Sequence, residues 1–178
     1  MIYIPAEDSY LLAEQIKKFA KNRSVLDVGT GSGILAKTAK SEGAKSISAS
    51  DIDEEALRVL KKRDQSIKTI KSDLFEKING KFDLIVFNPP YLPEDKREDK
   101  ESAQITTGGK EGDEITIRFL KQALKHLNKN GIILLLVSSL TPMKRIDELI
   151  KRSYLKHETI ARKKLFFEEL FVYKIQKA

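Results

Sequence analysis

Ser24-Val25-Leu26-Asp27-Val28-Gly29-Thr30-Gly31-Ser32-Gly33 is a short apolar run that closes on a carboxylate and opens into a glycine-rich turn. Residues 24–28 read as a buried strand, and Ile34 to Ser41, directly after the turn, read as a helix. A strand that passes through a tight glycine turn into a helix is the opening unit of a parallel α/β sheet. Glycines there allow the sharp turn and let a ligand approach the backbone. Twenty residues beyond Gly31, at the end of the next strand (Ser46 to Ser50), stands Asp51, where a carboxylate can accept both hydroxyls of a ribose. Asp73 closes a weak third strand, Ile67 to Ile70, and is placed to accept from an adenine amino group.

A second stretch fixes the other half of the site. Phe82-Asp83-Leu84-Ile85-Val86-Phe87 reads as a fully buried parallel strand, and Asn88-Pro89-Pro90-Tyr91 follows it. Proline fixes φ near −65° and donates no backbone hydrogen bond. The residue before a proline is driven out of the helical region, so Asn88 and Pro89 are held extended. The result is a stiff rim of acceptors at the carboxyl end of a central strand, where open α/β sheets bind ligands.

The remaining elements follow the same alternation. Asp8 or Ser9 caps a first helix to about Ala20, with an apolar stripe at 11, 12, 16 and 19, and Asp53 caps a third helix through Leu60. Residues 93–114 form a long polar stretch containing Gly108, Gly109 and Gly112, of a length that points to a functional loop. Ile115 to Leu127 reads as an amphipathic helix ended by Asn130-Gly131, and Ile132 to Val137 as a fifth buried strand. Another helix follows Thr141-Pro142. Tyr154 to Ala161 and Leu170 to Ile175 have no helix between them, so they are expected to form an antiparallel hairpin at one edge. The expected fold is α/β: a Rossmann-like, mostly parallel seven-stranded sheet in one domain spanning 1–178, with 1–22 a helical segment contributing to the pocket.

Composition narrows the function classes. The 178 residues include no cysteine, which excludes disulfides and thiolate metal sites, and no metal site is expected. The two histidines, His126 and His157, read as surface residues. There is neither a signal peptide nor an apolar run of membrane length, so the expected location is cytoplasmic. Lys and Arg exceed Asp and Glu by 33 − 26 = 7, and residues 115–178 hold 14 basic against 5 acidic side chains. That asymmetry suits an acidic partner, and equally a Lys- and Glu-rich surface of thermophilic type.

The glycine turn alone leaves two ligands open. Gly31-x-Gly33-x-x-Ala36 also satisfies the dinucleotide fingerprint. Asp27 argues the other way, because a carboxylate at the mouth of the loop repels a pyrophosphate and suits a cation.

Taken together, Asp27-x-Gly-x-Gly-x-Gly and Asn88-Pro-Pro-Tyr resemble a class I S-adenosylmethionine-dependent methyltransferase. Four further stretches resemble the archaeal/eukaryotic branch of the HemK/PrmC-like glutamine methyltransferases. They are Tyr3-x-Pro5-Ala6-Glu7-Asp8-Ser9-Tyr10-Leu11-Leu12, Ser50-Asp51-Ile52-Asp53, Gly108-Gly109-Lys110-Glu111-Gly112 before a helix with Arg118-Phe119, and Glu168-Glu169-Leu170 before the last strand. The resemblance implies S-adenosyl-L-methionine as cofactor, S-adenosyl-L-homocysteine as product, and a cofactor pocket lined by Ser9, Asp27, Gly29, Gly31, Asp51, Ile52, Asp73, Leu74 and Asn88. Family members usually have Thr where this chain has Ser9, and often Glu at Asp27. Catalysis falls to Asn88, Pro89 and Tyr91, with Pro90 completing the substrate wall. The Asn88 side-chain oxygen and the Pro89 carbonyl would each accept from the acceptor NH₂, and Tyr91 would pack on the planar amide.

The same geometry serves the exocyclic amino group of adenine, so a DNA or RNA adenine methyltransferase is the leading rival. Such enzymes usually need extra surface to extrude a base. The resemblance further implies a class I release factor as substrate, methylated in its Gly-Gly-Gln loop. It also implies a small zinc-binding activator protein on the third-strand edge at Ser66-Ile67-Lys68-Thr69-Ile70-Lys71, where Ile67 and Ile70 look poorly used by the core. Bacterial relatives grip the release factor with an amino-terminal helical domain. About twenty residues precede the first strand here, so recognition is expected from the long loop, the carboxyl-terminal edge or a partner.

Overall fold

The computed structural model describes residues 4–95, 97 and 99–178, apart from the side chains at 100, 101 and 104. Tyr3, the first residue of the amino-terminal motif, lies outside them, as do 96 and 98 of the long polar stretch.

In chain order the elements are α1 (Glu7–Phe19), β1 (Ser24–Val28), α2 (Ile34–Ser41), β2 (Ser46–Asp51), α3 (Glu54–Arg63), β3 (Lys68–Lys71) and β4 (Phe82–Phe87). Then come β5 (Leu92–Pro93), α4 (Lys100–Thr106), β6 (Thr107–Gly109), α5 (Glu114–Ala123), a 3₁₀ turn (Leu124–His126) and β7 (Leu127–Ser138). The chain closes with α6 (Met143–Arg152), β8 (Leu155–Lys164) and β9 (Glu169–Lys177). Seven strands form one sheet in the order β3-β2-β1-β4-β7-β9-β8. The first five are parallel, and β9 runs antiparallel to both β7 and β8. The expected mixed sheet with its antiparallel hairpin is therefore observed.

Two apolar layers explain why β4 and β7 read as continuous hydrophobic runs. Alternate side chains of a strand face opposite sides of a sheet. Ile85, Phe87, Ile133, Leu135 and Val137 face one cluster with Phe119 of α5 and Ile146 and Ile150 of α6. Leu84, Val86, Ile132, Leu134 and Leu136 face the other, with Leu12 and Ile16 of α1 and Leu35 of α2. Helices cover both faces, so the mid-strand positions of β4 and β7 are apolar on both sides.

The order of strands creates the site. The chain winds outward from β1 through β2 to β3, then returns to place β4 on the other side of β1. The pairing Val28↔Phe87 sets the turn after β1 beside the turn after β4. Crevices at such a reversal, at the carboxyl ends of the strands, are where ligands bind in this architecture.

Several expectations need correction. Helix α1 begins at Glu7 with Ala6 at the cap position and no side-chain cap, so Asp8 and Ser9 lie inside its first turn rather than capping it, and both are buried. The helix expected over 115–127 ends at Ala123. Leu127 instead pairs with Phe82, and Asn130-Gly131 fall in a register shift within β7, where Gly131 closes on Leu127 and the Phe82 carbonyl. The stretch 93–114 contains α4 and a short parallel pair, β5 with β6, rather than one irregular loop. β3 does lie at the sheet edge, but Ile67 just before it is only 1% exposed and Ile70 packs on the core. Both are accounted for by the fold. No helix among the described residues is long and apolar enough to cross a membrane.

Candidate active site

The turn after β1 is held by backbone geometry and by two carboxylates. Gly29, Gly31 and Gly33 all have positive φ, at 63°, 49° and 79°. At Gly33 a Cβ would also stand 2.6 Å from Leu60 Cδ1, so both conformation and packing require glycine there. Asp51 Oδ2 accepts the Gly31 N–H at 2.8 Å, and its Oδ1 accepts the Asp53 N–H at 2.9 Å. Burial raises the Asp51 carboxyl above the usual range, against these two backbone donors. One carboxylate therefore ties the ends of β1 and β2 together and still faces the cavity.

Asp27 sits elsewhere than expected. It is 0% exposed and lies behind the turn rather than on the cavity wall. Its Oδ2 accepts from Thr30 Oγ1 at 2.7 Å and from the Ala36 N–H at 3.1 Å. Its Oδ1 is buried with no partner among the described residues. Desolvation raises its pKa to about 7. Asp27 thus shapes the turn and places a titratable charge beneath it, and it is not among the residues that line the cavity.

Between the turns lies a cavity of about 360 Å³, within the range of small-molecule sites. Ser9, Gly29, Gly31, Asp51, Ile52, Asp73, Leu74, Asn88, Pro89, Pro90 and Tyr91 all line it, so the structure brings together every expected site residue except Asp27. Asp73 on the cavity wall is held by Arg118 of α5, Nη2 to Oδ2 at 2.8 Å. Leu74 next to it has φ +47°, a strained conformation for a branched residue. Ile52 is largely exposed at the mouth.

The turn after β4 carries the sharpest geometry. The Asn88 amide nitrogen donates to Asp8 Oδ2 at 3.0 Å and approaches Ser9 Oγ at 3.4 Å. A carboxylate oxygen accepts and does not donate, so the nitrogen of the amide must be the atom that faces Asp8. Oδ1 is thereby turned the other way, buried and without a partner among the described residues. An acceptor left unmade in a buried setting costs about 1–3 kcal/mol, which a ligand N–H would relieve. Burial, Asp8 and Glu168 raise the pKa of the Tyr91 phenol, keeping it neutral.

Gly108 and Gly112 brace this turn from behind. A Cβ at Gly108 would lie 2.1 Å from the Gly112 carbonyl oxygen and 2.6 Å from that of Pro90. The glycines beyond α4 are therefore backbone spacers against the proline turn.

Four contributors were not assigned from sequence. Asp8 looked like a helix cap, and only its position 80 residues before its partner in the chain reveals its role. Arg118 lies 45 residues from Asp73, and Ile105 and Thr106 of α4 close one wall. The histidines lie away from the cavity: His126 Nδ1 meets the Gly80 carbonyl and stacks on Phe75, and His157 stacks on Tyr173. Among the described residues no cluster of His, Asp and Glu is placed to hold a metal ion.

Asp8, Asp51, Asp53 and Asp73 make this cavity acidic within a chain of net charge +7. A pyrophosphate would be repelled here, whereas a nucleoside carrying positive charge fits. The profile of the Methyltransferase small domain family matches residues 7–167. The chain belongs to that family. It is a methyltransferase of the Rossmann-like type.

Among relatives, a protein of Methanocaldococcus jannaschii provisionally named a protein N5-glutamine methyltransferase is 41% identical over 177 residues, 96% of this chain and 89% of that one. The release factor glutamine methyltransferase of Borreliella burgdorferi is 32% identical over 149 residues, covering 75% of this chain and 52% of its own. This methyltransferase thus spans about half the length of that bacterial enzyme. The E. cuniculi Mtq2-Trm112 complex contains a chain of the same fold, with a TM-score of 0.81, 24% identity and 99% of both chains covered.

Proposed function

We propose that this methyltransferase transfers the methyl group of S-adenosylmethionine to the side-chain amide nitrogen of a protein glutamine, in the Gly-Gly-Gln loop of a class I translation release factor. The observation that carries the reading is the Asn88 amide on the cavity wall, oriented by Asp8 so that its acceptor oxygen is left buried and unpartnered among the described residues. The relatives in M. jannaschii and B. burgdorferi carry glutamine methyltransferase names, and the E. cuniculi complex is responsible for methylation of the eRF1 termination factor.

When bound, S-adenosylmethionine supplies a methyl carbon activated by a neighbouring sulfonium. The residues present suit it: Asp51 for the ribose hydroxyls, Asp73 for the adenine amino group, and Asp8 with the buried Asp27 for positive charge. The Asn88 oxygen and the Pro89 carbonyl would each accept one N–H of the acceptor NH₂. That holds the nitrogen in one orientation and draws electron density toward it, so catalysis rests on proximity and fixed dipoles. Tyr91 walls the planar amide. A neutral amide has no proton to lose before it attacks; the new nitrogen–methyl bond would replace the methyl–sulfur bond, leaving a neutral thioether, and the surplus N–H proton would pass to solvent afterwards, so no strong base is required.

The whole chain is taken to act as one cytoplasmic methyltransferase unit. The open edge at β3 is proposed to receive a small zinc-binding activator by strand addition. Lys68 and Lys71 there would otherwise serve to keep the edge unpaired. Co-expression with such an activator should give a one-to-one complex of higher activity.

The test uses labelled methyl donor with an intact release factor, the same factor carrying Gln→Ala in its Gly-Gly-Gln loop, and adenine-containing DNA and RNA. Label should appear on the intact factor alone. Label on adenine and none on the factor, with activator present, would replace this reading with adenine methylation, which the basic carboxyl-terminal half would suit.

A further inference from the structure

The turn between β8 and β9 is unlike the rest of the surface. Leu165 N–H donates to the Glu168 carbonyl, which leaves Phe166 and Phe167 as the two apex residues of the hairpin. They are 91% and 84% exposed and meet edge to face at 4.6 Å. Hairpin apices favour Gly, Asn and Asp, and isolated surface apolar residues are ordinary. Two adjacent phenyl rings fully in water at an apex gain nothing from the fold that holds them.

The apex stands beside the acceptor end of the cavity. Lys163, three residues before the apex, is ion-paired with Glu7, the neighbour of Asp8. Glu168, one step after it, accepts from Ser138 Oγ at 2.5 Å at the end of β7, and is close enough to Tyr91 to influence its phenol. The Ser139 N–H bonds to the Glu169 carbonyl, which brings the exposed Leu140 to the base of the same hairpin. Arg162 and Lys164 share the exposed side of β8 leading into the turn. The hairpin therefore ends in an aromatic tip, with cationic side chains on the strand that leads to it, and is tied through Lys163 and Glu168 to elements that flank the Asn88 pocket.

We infer that the Phe166-Phe167 apex, with Leu140, Arg162 and Lys164, is the docking element for the methyl-accepting protein, whose matching surface is an apolar pocket rimmed by carboxylates. This rests on the glutamine reading above. Aromatic anchors that fill a pocket supply most of the affinity at protein interfaces, and flanking charges add speed and salt dependence. Lys163 is engaged with Glu7 and the Arg162 guanidinium lies over the Phe171 ring at 5.8 Å, so Lys164 and the exposed end of Arg162 provide the charge offered to the partner. The position explains how a long-range grip can be combined with a narrow cavity: the apex holds the folded body while a flexible loop reaches Asn88.

The experiment compares the parent enzyme with the Phe166→Ser/Phe167→Ser double variant and with Lys164→Glu. Two acceptors are used, the intact release factor and a short peptide holding only its Gly-Gly-Gln loop. Thermal melting and S-adenosylhomocysteine affinity should match the parent, because the changed side chains are exposed. For the double variant, KM for the intact factor should rise at least about tenfold with kcat at saturation within about twofold. For the peptide, kcat/KM should stay within about twofold of the parent. Lys164→Glu should raise KM for the intact factor and flatten its salt dependence.

An unchanged KM for the intact factor overturns the inference and leaves the glutamine reading standing. An equal loss with the peptide also overturns it, since the apex would then be part of the cavity. Restored binding of the activator, a vesicle or a second copy of the chain to the parent but not to the double variant, without a KM effect, assigns the apex to that occupant and overturns it too. Label found only on nucleic acid overturns both.

Discussion

Removing Asp8 should cripple turnover at saturating cofactor chiefly through Asn88. The Asp8 carboxylate accepts from the Asn88 amide nitrogen at 3.0 Å, and that bond decides which end of the amide is presented to the acceptor. A hydrogen bond to a charged group is worth about 1.5–3 kcal/mol. If that restraint is lost in Asp8→Ala, kcat should fall by about 10- to 150-fold at saturating cofactor. Asn88→Ala, which removes the oriented oxygen itself, should cost about 100- to 1000-fold. Because Asp8 acts through Asn88, the double variant should be no worse than Asn88→Ala alone. The assay is single-turnover transfer of labelled methyl to the accepted substrate, with cofactor affinity measured separately because Asp8 also lines the cavity. Thermal melting controls for the Ser9 N–H that Asp8 Oδ1 also accepts at 2.6 Å. Losses that multiply in the double variant would refute the positioning role.

Asp51→Ala should weaken S-adenosylmethionine binding by about 1.5–3 kcal/mol for each charge-assisted bond lost, and should lower the melting temperature as well, since Asp51 also holds Gly31 and Asp53; unchanged affinity by calorimetry would remove its assignment. Asp27 has a raised folded pKa of about 7, caused first by burial, so between its usual 3.8 and about 7 the folded state binds more protons than the unfolded one. Stability from this group is therefore fully present below about pH 4 and is lost as pH rises through about 7, and melting curves of Asp27→Asn should lack that decline. Gly108→Ala drives a Cβ into the Pro90 carbonyl and should cost about 1–3 kcal/mol of stability, with a larger fractional loss of kcat than of cofactor affinity.

How much of this was legible in the sequence depends on the range of the interaction. Strand β4, the glycine turn and Asn88-Pro89-Pro90-Tyr91 were readable because each is dictated within a few residues, by side-chain alternation, by positive φ and by the fixed torsion of proline. Most boundaries followed for the same reason. Where they failed, as at Asn130-Gly131, a tertiary pairing of Leu127 with Phe82 had overridden a local stop signal. The exposed faces misled as well: Ile67 looked spare on the edge strand, because its burial comes from elements distant in the chain.

The sequence by itself determined the alternating α/β pattern, both turns and the chemistry of the residues they carry. Only the tertiary structure decided that β4 lies beside β1, that Asp27 is hidden behind its turn, and that Arg118 holds Asp73. It also decided that Asp8 turns inward to set the Asn88 amide across 80 residues of chain, and that the hairpin bearing the exposed Phe166 and Phe167 is tied to Glu7 and lies near Tyr91. Periodicity and turn chemistry act over one or two turns of chain and leave a mark in the order of residues. Strand order and buried polar pairing are settled by the packing of whole layers, which brings together residues that carry no sign of each other in the sequence.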